Sequence, residues 1–311
     1  MIPEPRHYRD EGDLQAMCSL LQAGRQANNG TYYVHVGDIQ WWLFYPPFGV
    51  DLFEHLYVWD DPSTSGQLLA WVLLNHDGYN TCDVVVQPRL RGSLLAREML
   101  DWAEQRLTGI LRTLGQDKLR VMWIFEDDTL VDGALRERGF QPSDADVYLT
   151  RSLEEPVEIS QIAQGWTVRA CRGLEEVEAR AAAQHGAFGS SASMGRYADR
   201  FQRFMQSGVY NPAWDIVSVA EDGKIGAFCI AWLDPLNQVG LFEPVGTHPD
   251  FQRQGLGKAV MLETLRRLRE NGMRQAIVET AADNTPAIKL YESIGFRVAN
   301  RLMTYQKNIA A

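Results

Sequence analysis

The chain has 311 residues, 45% hydrophobic and 10% aromatic, with a formal net charge of −10. That length suits two domains of about 150 residues, each with its own core, and the apolar content excludes a disordered or low-complexity chain. The acidic balance argues against a nucleic-acid partner and suits a cationic substrate.

No apolar run reaches the roughly 18 residues that would span a bilayer, and the polar stretch Met1 to Asp10 has no signal-peptide core. The expectation is a cytoplasmic protein with no membrane partner. Cys18, Cys82, Cys171 and Cys229 stand singly and the six histidines lack paired ligand spacing, so neither a disulfide framework nor a metal site is expected.

In chain order, Arg6 to Arg9 reads as a first strand and is followed by a helical pattern. Tryptophan is concentrated in this half, at Trp41, Trp42, Trp59, Trp71, Trp102 and Trp123. Two readings stand for it: packing, within a vacated cleft or against the other half, and an aromatic wall for an acceptor. Pro88 precedes Arg91, Leu94 and Ala96, after which Met99, Leu100, Ala103 and Leu107 form an apolar stripe at helical spacing. Asp127-Asp128-Thr129-Leu130 then leads to Arg138-Gly139-Phe140. A strand-like run, Asp146 to Arg151, is followed by Glu154-Glu155-Pro156. The expected division is a domain over 1–152, a linker over 153–165 and a domain over 166–311.

The second half opens with another strand signal at Trp166 to Arg169 and carries an apolar strand at Phe228 to Leu233. Leu241 to Thr247 is mostly apolar, contains Gly246 and is stopped by Pro249. After Gly257, Val260, Met261, Leu265 and Leu268 recur at helical spacing with charged residues on the other face. Between them lies Gln252-Arg253-Gln254-Gly255-Leu256-Gly257. The first turn of a helix leaves amide N–H groups unpaired at the positive end of its dipole, which makes an anion site. Gly255 and Gly257 give a diphosphate access to the main chain, and Arg253 and Lys258 add positive charge. Farther on, Asn284 or Thr285 caps a second helix with Pro286 just inside it and Gly295 past its end.

The order strand, Gln-x-x-Gly-x-Gly, helix, strand, then Asn-x-x-Ala-x-x-Leu-Tyr-x-x-x-Gly-Phe is similar to the acetyl-CoA-binding core of the GNAT superfamily of N-acetyltransferases. The resemblance implies an α/β (mixed α+β) fold, a mostly antiparallel twisted sheet flanked by helices, with acetyl-CoA as acyl donor. It assigns Gln252, Arg253, Gln254, Gly255, Leu256, Gly257 and Lys258 to the pyrophosphate. It assigns Val245, Gly246 and Thr247 to a strand edge for the pantetheine arm, which Asn284 helps hold, and makes Tyr291 the candidate general acid beside the thioester sulfur.

The two halves also repeat each other. Pro88 and its helix parallel Pro249 and its helix, and the run from Asp127 to Phe140 parallels that from Asp283 to Phe296. A chain of two GNAT domains in tandem follows, with a layout resembling that of mycothiol synthase. In the first copy Leu94 aligns with Gly255, Leu135 with Tyr291 and Asp128 with Asn284, so that copy is expected to be degenerate and chemically silent. A register one residue away makes Gly92 the relocated loop glycine.

An alkyl amine of pKa near 10.4 is almost wholly protonated at neutral pH, and deprotonating it costs roughly 4–5 kcal/mol unless a base assists. Glu243, with Leu241 and Val245 expected on the same strand face, is the candidate base, although relatives carry the strand glutamate two residues earlier, where Leu241 stands here. Asp234 and His185 are the alternatives; Asp234 also reads as a turn residue and His185 as a capping or surface one. The expected activity is direct acetyl transfer to a primary amine of a small molecule, by a monomer or homodimer. The alternatives are a non-catalytic acyl-CoA sensor and a peptide or protein N-terminal acetyltransferase.

Overall fold

The computed structural model describes residues 4–158 and 162–309. Residues 159–161 of the expected linker, and the first three of the polar start, lie outside the described residues. The chain forms two compact units, one of Met1–Ile39, Pro46–Val147 and Asn300–Ala311, the other of Gln40–Tyr45 and Tyr148–Ala299. Relative to a division in chain order, the first unit takes Asn300–Ala311 from beyond the linker, and the second takes Gln40–Tyr45 and the end of the first half from Tyr148 onward.

The first unit holds β1 (Arg6–His7), α1 (Glu11–Ala27), the start of α2 (Val36–Phe44), β2 (Leu56–Asp60), β3 (Leu68–Asn75), β4 (Thr81–Val86), α3 (Leu94–Thr113), β5 (Lys118–Phe125) and α4 (Thr129–Glu137). β6 (Gln141–Ser152) leads out of it. Its strands run in the order β1-β2-β3-β4-β5, and the next place is taken by the last strand of the chain, β12 (Arg297–Asn308). Leu302 to Asn308 of β12 pairs antiparallel with β5, from Leu302 opposite Phe125 to Asn308 opposite Lys118. That pairing satisfies the backbone of an otherwise bare strand edge, which explains why residues so late in the chain belong here.

β3 is an almost continuous apolar run because both of its faces are covered. Ala70, Val72 and Leu74 of β3 and Cys82 of β4 pack with Met99, Ala103, Leu107 and Leu111, the buried stripe of α3. Each of the valine, leucine and methionine side chains among them contributes roughly 1.5–3 kcal/mol through burial.

The second unit holds β7 (Trp166–Ala170), α5 (Val177–Ala187), α6 (Met194–Gln206), β8 (Asp215–Ala220), β9 (Ile225–Asp234), β10 (Val239–Thr247), α7 (Leu256–Glu270), β11 (Gln275–Ala281) and α8 (Thr285–Glu292). Its strands are ordered β11-β10-β9-β8-β7. The predicted stripe of α7, Val260, Met261, Leu265 and Leu268, is fully buried. Gly240 lets β10 approach it, since an added Cβ would lie 2.6 Å from Leu268.

On the other face of the sheet, Arg180 of α5 places Nε 2.9 Å from both oxygens of Asp215 in β8, and Tyr210 donates to the same carboxylate at 3.0 Å. The guanidinium also lies 3.9 Å from the ring centroid of Phe228. The segment Gln40–Tyr45 completes this unit. Trp41 stacks on Tyr45 at 4.3 Å, meets Phe204 of α6 edge-on, and Arg200 lies 3.6 Å over the Tyr45 ring. Trp41 thus serves packing.

Candidate active site

The parallel pairing of β10 with β11 runs only from Val239 opposite Gln275 to Phe242 opposite Val278. β10 continues to Thr247 against β9, so the strands part and the outer edge of Glu243 to Thr247 faces the opening. The cause is local. Leu241 lies opposite Trp232 but Val245 lies opposite Cys229, so one extra residue is inserted in β10 at Glu243–Pro244. The indole Nε1 of Trp232 donates to the Glu243 carbonyl at 2.6 Å and pins the bulge.

This bulge corrects the expectation that Leu241, Glu243 and Val245 share a face. An extra residue reverses the alternation, which leaves Leu241 and Gly246 toward α5 and Phe242, Val245 and Thr247 toward α7. Close contacts agree: a Cβ at Gly246 would lie 2.4 Å from the Phe228 ring and 3.0 Å from Ala187 of α5, and one at Gly257 of α7 would lie 2.8 Å from Thr247 Oγ1. Trp232, which fixes the geometry of the opening, had no signal in the sequence beyond its place in an apolar run.

Above the opening, Gln252, Arg253, Gln254 and Gly255 are exposed and lead into α7. Gly255 is its N-cap, with φ +78° and nothing within 4 Å of the place a Cβ would take. The first backbone bond of α7 runs from Ala259 N to Gly255 O at 3.0 Å. The amides of Gln254, Gly255, Leu256 and Gly257 have no acceptor among the described residues. Open space, free amides, the positive helix end and the Arg253 side chain fit a diphosphate. Lys258 is half-buried and donates to Ser293 O at 3.5 Å, on the side of α8.

Asn284 is the N-cap of α8, accepting from Ala287 N at 3.3 Å and donating to Thr280 Oγ1 at 2.9 Å. Gly295 takes φ +89° just beyond the helix, and Phe296 N closes the end on Tyr291 O. Tyr291 is buried, and its hydroxyl is held well above the ordinary phenol range, first by burial and then by the negative charge of Glu243. The two residues therefore lie within electrostatic reach of each other at the mouth of the opening. Glu243 itself is half-buried.

The alternative bases are otherwise engaged. Asp234 is buried and accepts from Asn237 N and Nδ2 at 3.2 and 2.7 Å, closing the turn into β10. His185 Nε2 donates to Ala192 O at 2.8 Å, which ties the end of α5 to the following loop.

The corresponding region of the first unit is closed from within. Its helix, α3, is capped by Ser93, whose hydroxyl accepts from Ala96 N at 3.2 Å, so Ser93 and not Leu94 stands where Gly255 does. Leu94 is 72% exposed and seals nothing. The loop is one residue shorter, and the left-handed residue is Gly92, with φ +73° and a Cβ site 2.8 Å from Leu130. Arg91 forms an ion pair with Asp128, the N-cap of α4, at 2.7 Å, and stacks over Tyr32 at 4.8 Å. Tyr33 donates its hydroxyl to Val86 O at the end of β4. Leu135, in the place of Tyr291, is fully buried.

Comparison with known proteins adds to this geometry. An acetyltransferase (GNAT) family profile matches residues 183–296, inside the second unit. A mycothiol acetyltransferase of Arthrobacter sp. is 26% identical over 246 residues, 76% of this chain and 73% of its own length. The [ribosomal protein bS18]-alanine N-acetyltransferase of Escherichia coli is 37% identical over 87 residues, which spans 28% of this chain and 57% of that enzyme. Among solved structures, a tandem GNAT protein from the clavulanic acid biosynthesis pathway shares the fold with a TM-score of 0.69 at 15% identity, covering 99% of this chain and 98% of that one. A GCN5-related N-acetyltransferase from Sphaerobacter thermophilus gives 0.66 at 21% identity, covering 100% and 98%. Glycine loop, parted strands, repeated halves and relatives converge on a GNAT-type N-acetyltransferase: the family matches within the second unit, and the chain as a whole shares the fold of a tandem GNAT protein.

Proposed function

We propose that the second unit transfers an acetyl group from acetyl-CoA directly to a primary amine of a small molecule. The observation that carries this reading is the conjunction of unpaired amides over an open, left-handed Gly255 with an opening between β10 and β11, where Glu243 lies within electrostatic reach of Tyr291. When bound, acyl-CoA supplies an activated thioester. The loop Gln252 to Lys258 holds its diphosphate, and the free edge at Val245, Gly246 and Thr247, with Asn284, takes the amide groups of the pantetheine arm.

Glu243 takes the proton from the ammonium form of the acceptor, through a water. Tyr291 stays protonated because burial and the Glu243 charge oppose its ionisation, and its hydroxyl has no hydrogen-bond partner among the described residues that would hold that proton back. It donates to the departing thiolate, whose conjugate acid has a pKa of about 8.5. The Val245 amide, on the free edge of β10, polarises the thioester carbonyl, where negative charge develops. The amine acceptor is supported by relatives that align over most of the chain and are named mycothiol acetyltransferases.

A second reading, acetylation of a protein N-terminus, is favoured by the higher identity of the shorter match to the bS18-alanine enzyme. One assay separates them: CoA release from acetyl-CoA with aminosugars, aminoglycosides, polyamines and peptides beginning in alanine as acceptors. Turnover confined to the peptides would overturn the small-molecule reading. Acetyl-CoA that raised the Tm but released no CoA with any acceptor would make the protein a sensor.

A further inference from the structure

The first unit keeps an unexplained carboxylate. β3 and β4 pair without a bulge from Ala70 opposite Val86 to Asn75 opposite Thr81, which places Asp83 opposite Leu73. Matching this ladder to that of β9 and β10 aligns Val86 with Thr247 and Cys82 with Phe242, so Asp83 occupies the position at which β10 carries Glu243 and its bulge. The strands beyond it also part, because β4 meets β5 in parallel only at Thr81 opposite Arg120.

Cys82 packs in the α3 core with Val84 and Val86 against it, so Asp83 points to the opposite face together with Trp71 and Leu73 of β3. On that face its one hydrogen bond among the described residues is from Thr81 Oγ1, long at 3.3 Å, and no described cation stands near enough to lower its pKa. Burial pushes the carboxyl up to about 7. A carboxylate left in this state costs stability that an internal salt bridge would offset, and none is formed with the described residues. Diagonal to it across the ladder is Trp71, opposite Val85 and 0% exposed, whose indole Nε1 has no hydrogen-bond partner among the described residues. Two polar groups on one face, an acceptor without a cation and a donor without an acceptor, form a complementary pair for a ligand that brings both.

We infer that the first unit retains an amine-binding site in which Asp83 takes an alkyl ammonium and Trp71 Nε1 donates to an oxygen on the same molecule. The ligand class is a small amino alcohol or aminosugar. The donor half of this copy is closed by Arg91 with Asp128, by Tyr33 on Val86 and by the loss of the Tyr291 hydroxyl at Leu135, so the bound amine is held and not acylated. The inference does not depend on which group is the base in the second unit.

The test uses the full chain labelled with 15N at its tryptophan indoles, the Trp71 resonance being identified by its loss in Trp71→Phe. Ethanolamine is the probe and ethylene glycol its uncharged counterpart, with no acyl donor present, so the outcome stands apart from that of the transfer reaction. The expected result is a saturable shift of the Trp71 resonance with ethanolamine, none with ethylene glycol, and a Kd at least about tenfold weaker in Asp83→Asn. An unmoved Trp71 resonance, an equal response to ethylene glycol, or an unchanged Kd in Asp83→Asn would overturn it. If Asp83→Asn fails to fold, the comparison of the two probes on the wild type decides.

Discussion

Arg180 holds Asp215 through two contacts of 2.9 Å, with neither side chain exposed to solvent, and the same guanidinium lies 3.9 Å from the centroid of Phe228, the ring that packs against Gly246. A buried ion pair thus supports the strand edge from behind. Burial alone would raise Asp215, and Arg180 and Tyr210 oppose that rise. The pair fixes α5 to β8 and, through Phe228, sets where β10 can lie.

Breaking that pair should be costly. Asp215→Ala leaves an arginine buried without its counterion, and the expected loss is about 3–5 kcal/mol of unfolding free energy, measured by urea denaturation. A loss under 1 kcal/mol would mean that Arg180 relaxes to solvent.

Three substitutions at two glycines separate space from conformation. Gly246→Ala forces a methyl to within 2.4 Å of the fully buried Phe228 ring and should cost about 1–3 kcal/mol while displacing the pantetheine edge. Gly255→Ala meets nothing but keeps a left-handed residue, and should cost only about 1–2 kcal/mol. Gly255→Glu adds a carboxylate where the diphosphate is proposed to sit, and should abolish the rise in Tm that acetyl-CoA gives the wild type. Equal protection in that variant would refute the loop assignment.

The two proposed proton-transfer residues should differ in their pH signatures. Tyr291→Phe should lower kcat by about 10²–10⁴ with little change in the Kd for acetyl-CoA. Because burial and Glu243 hold the phenol above its ordinary value, the wild type should show no loss of activity from Tyr291 ionisation up to about pH 10. Glu243→Gln should lose turnover most below neutral pH, where the acceptor is hardest to deprotonate. A pH profile parallel to the wild type would remove Glu243 from the reaction.

The acid limb of stability has a defined contributor in the first unit. Arg6 makes bidentate contacts of 2.6 and 2.7 Å with Asp13, which hold its carboxyl below the ordinary value against the opposing effect of burial, and it also binds Asp60. Since the folded state binds the proton more weakly than the unfolded chain, this contribution is complete above about pH 4 and is lost as the pH falls through the lower folded value. Tm measured from pH 6 downward should therefore fall less steeply in Asp13→Asn than in the wild type, from a lower plateau.

Much of the second unit could be read from residue order alone. The Gly255 cap, the stripe of α7 and the Asn284 cap each depend on side chains within four or five positions of one another, which is the range over which periodicity and capping rules act. The bulge at Glu243–Pro244 could not, because an inserted residue is visible only against the partner strand, and alternation counted along β10 alone gives the wrong face for Val245. For the same reason aligning Leu94 with Gly255 misses the cap: a shift of one position makes Ser93 the cap and leaves the closure to Arg91, Asp128 and Leu130, residues far apart in sequence.

The placement of β12 has a consequence for synthesis on the ribosome. β5 acquires its antiparallel neighbour from residues that are translated after every strand and helix of the second unit. The earlier lobe must then wait, its sheet incomplete, while the later one is made, and a gene split at the linker would yield two fragments that each lack a piece held by the other.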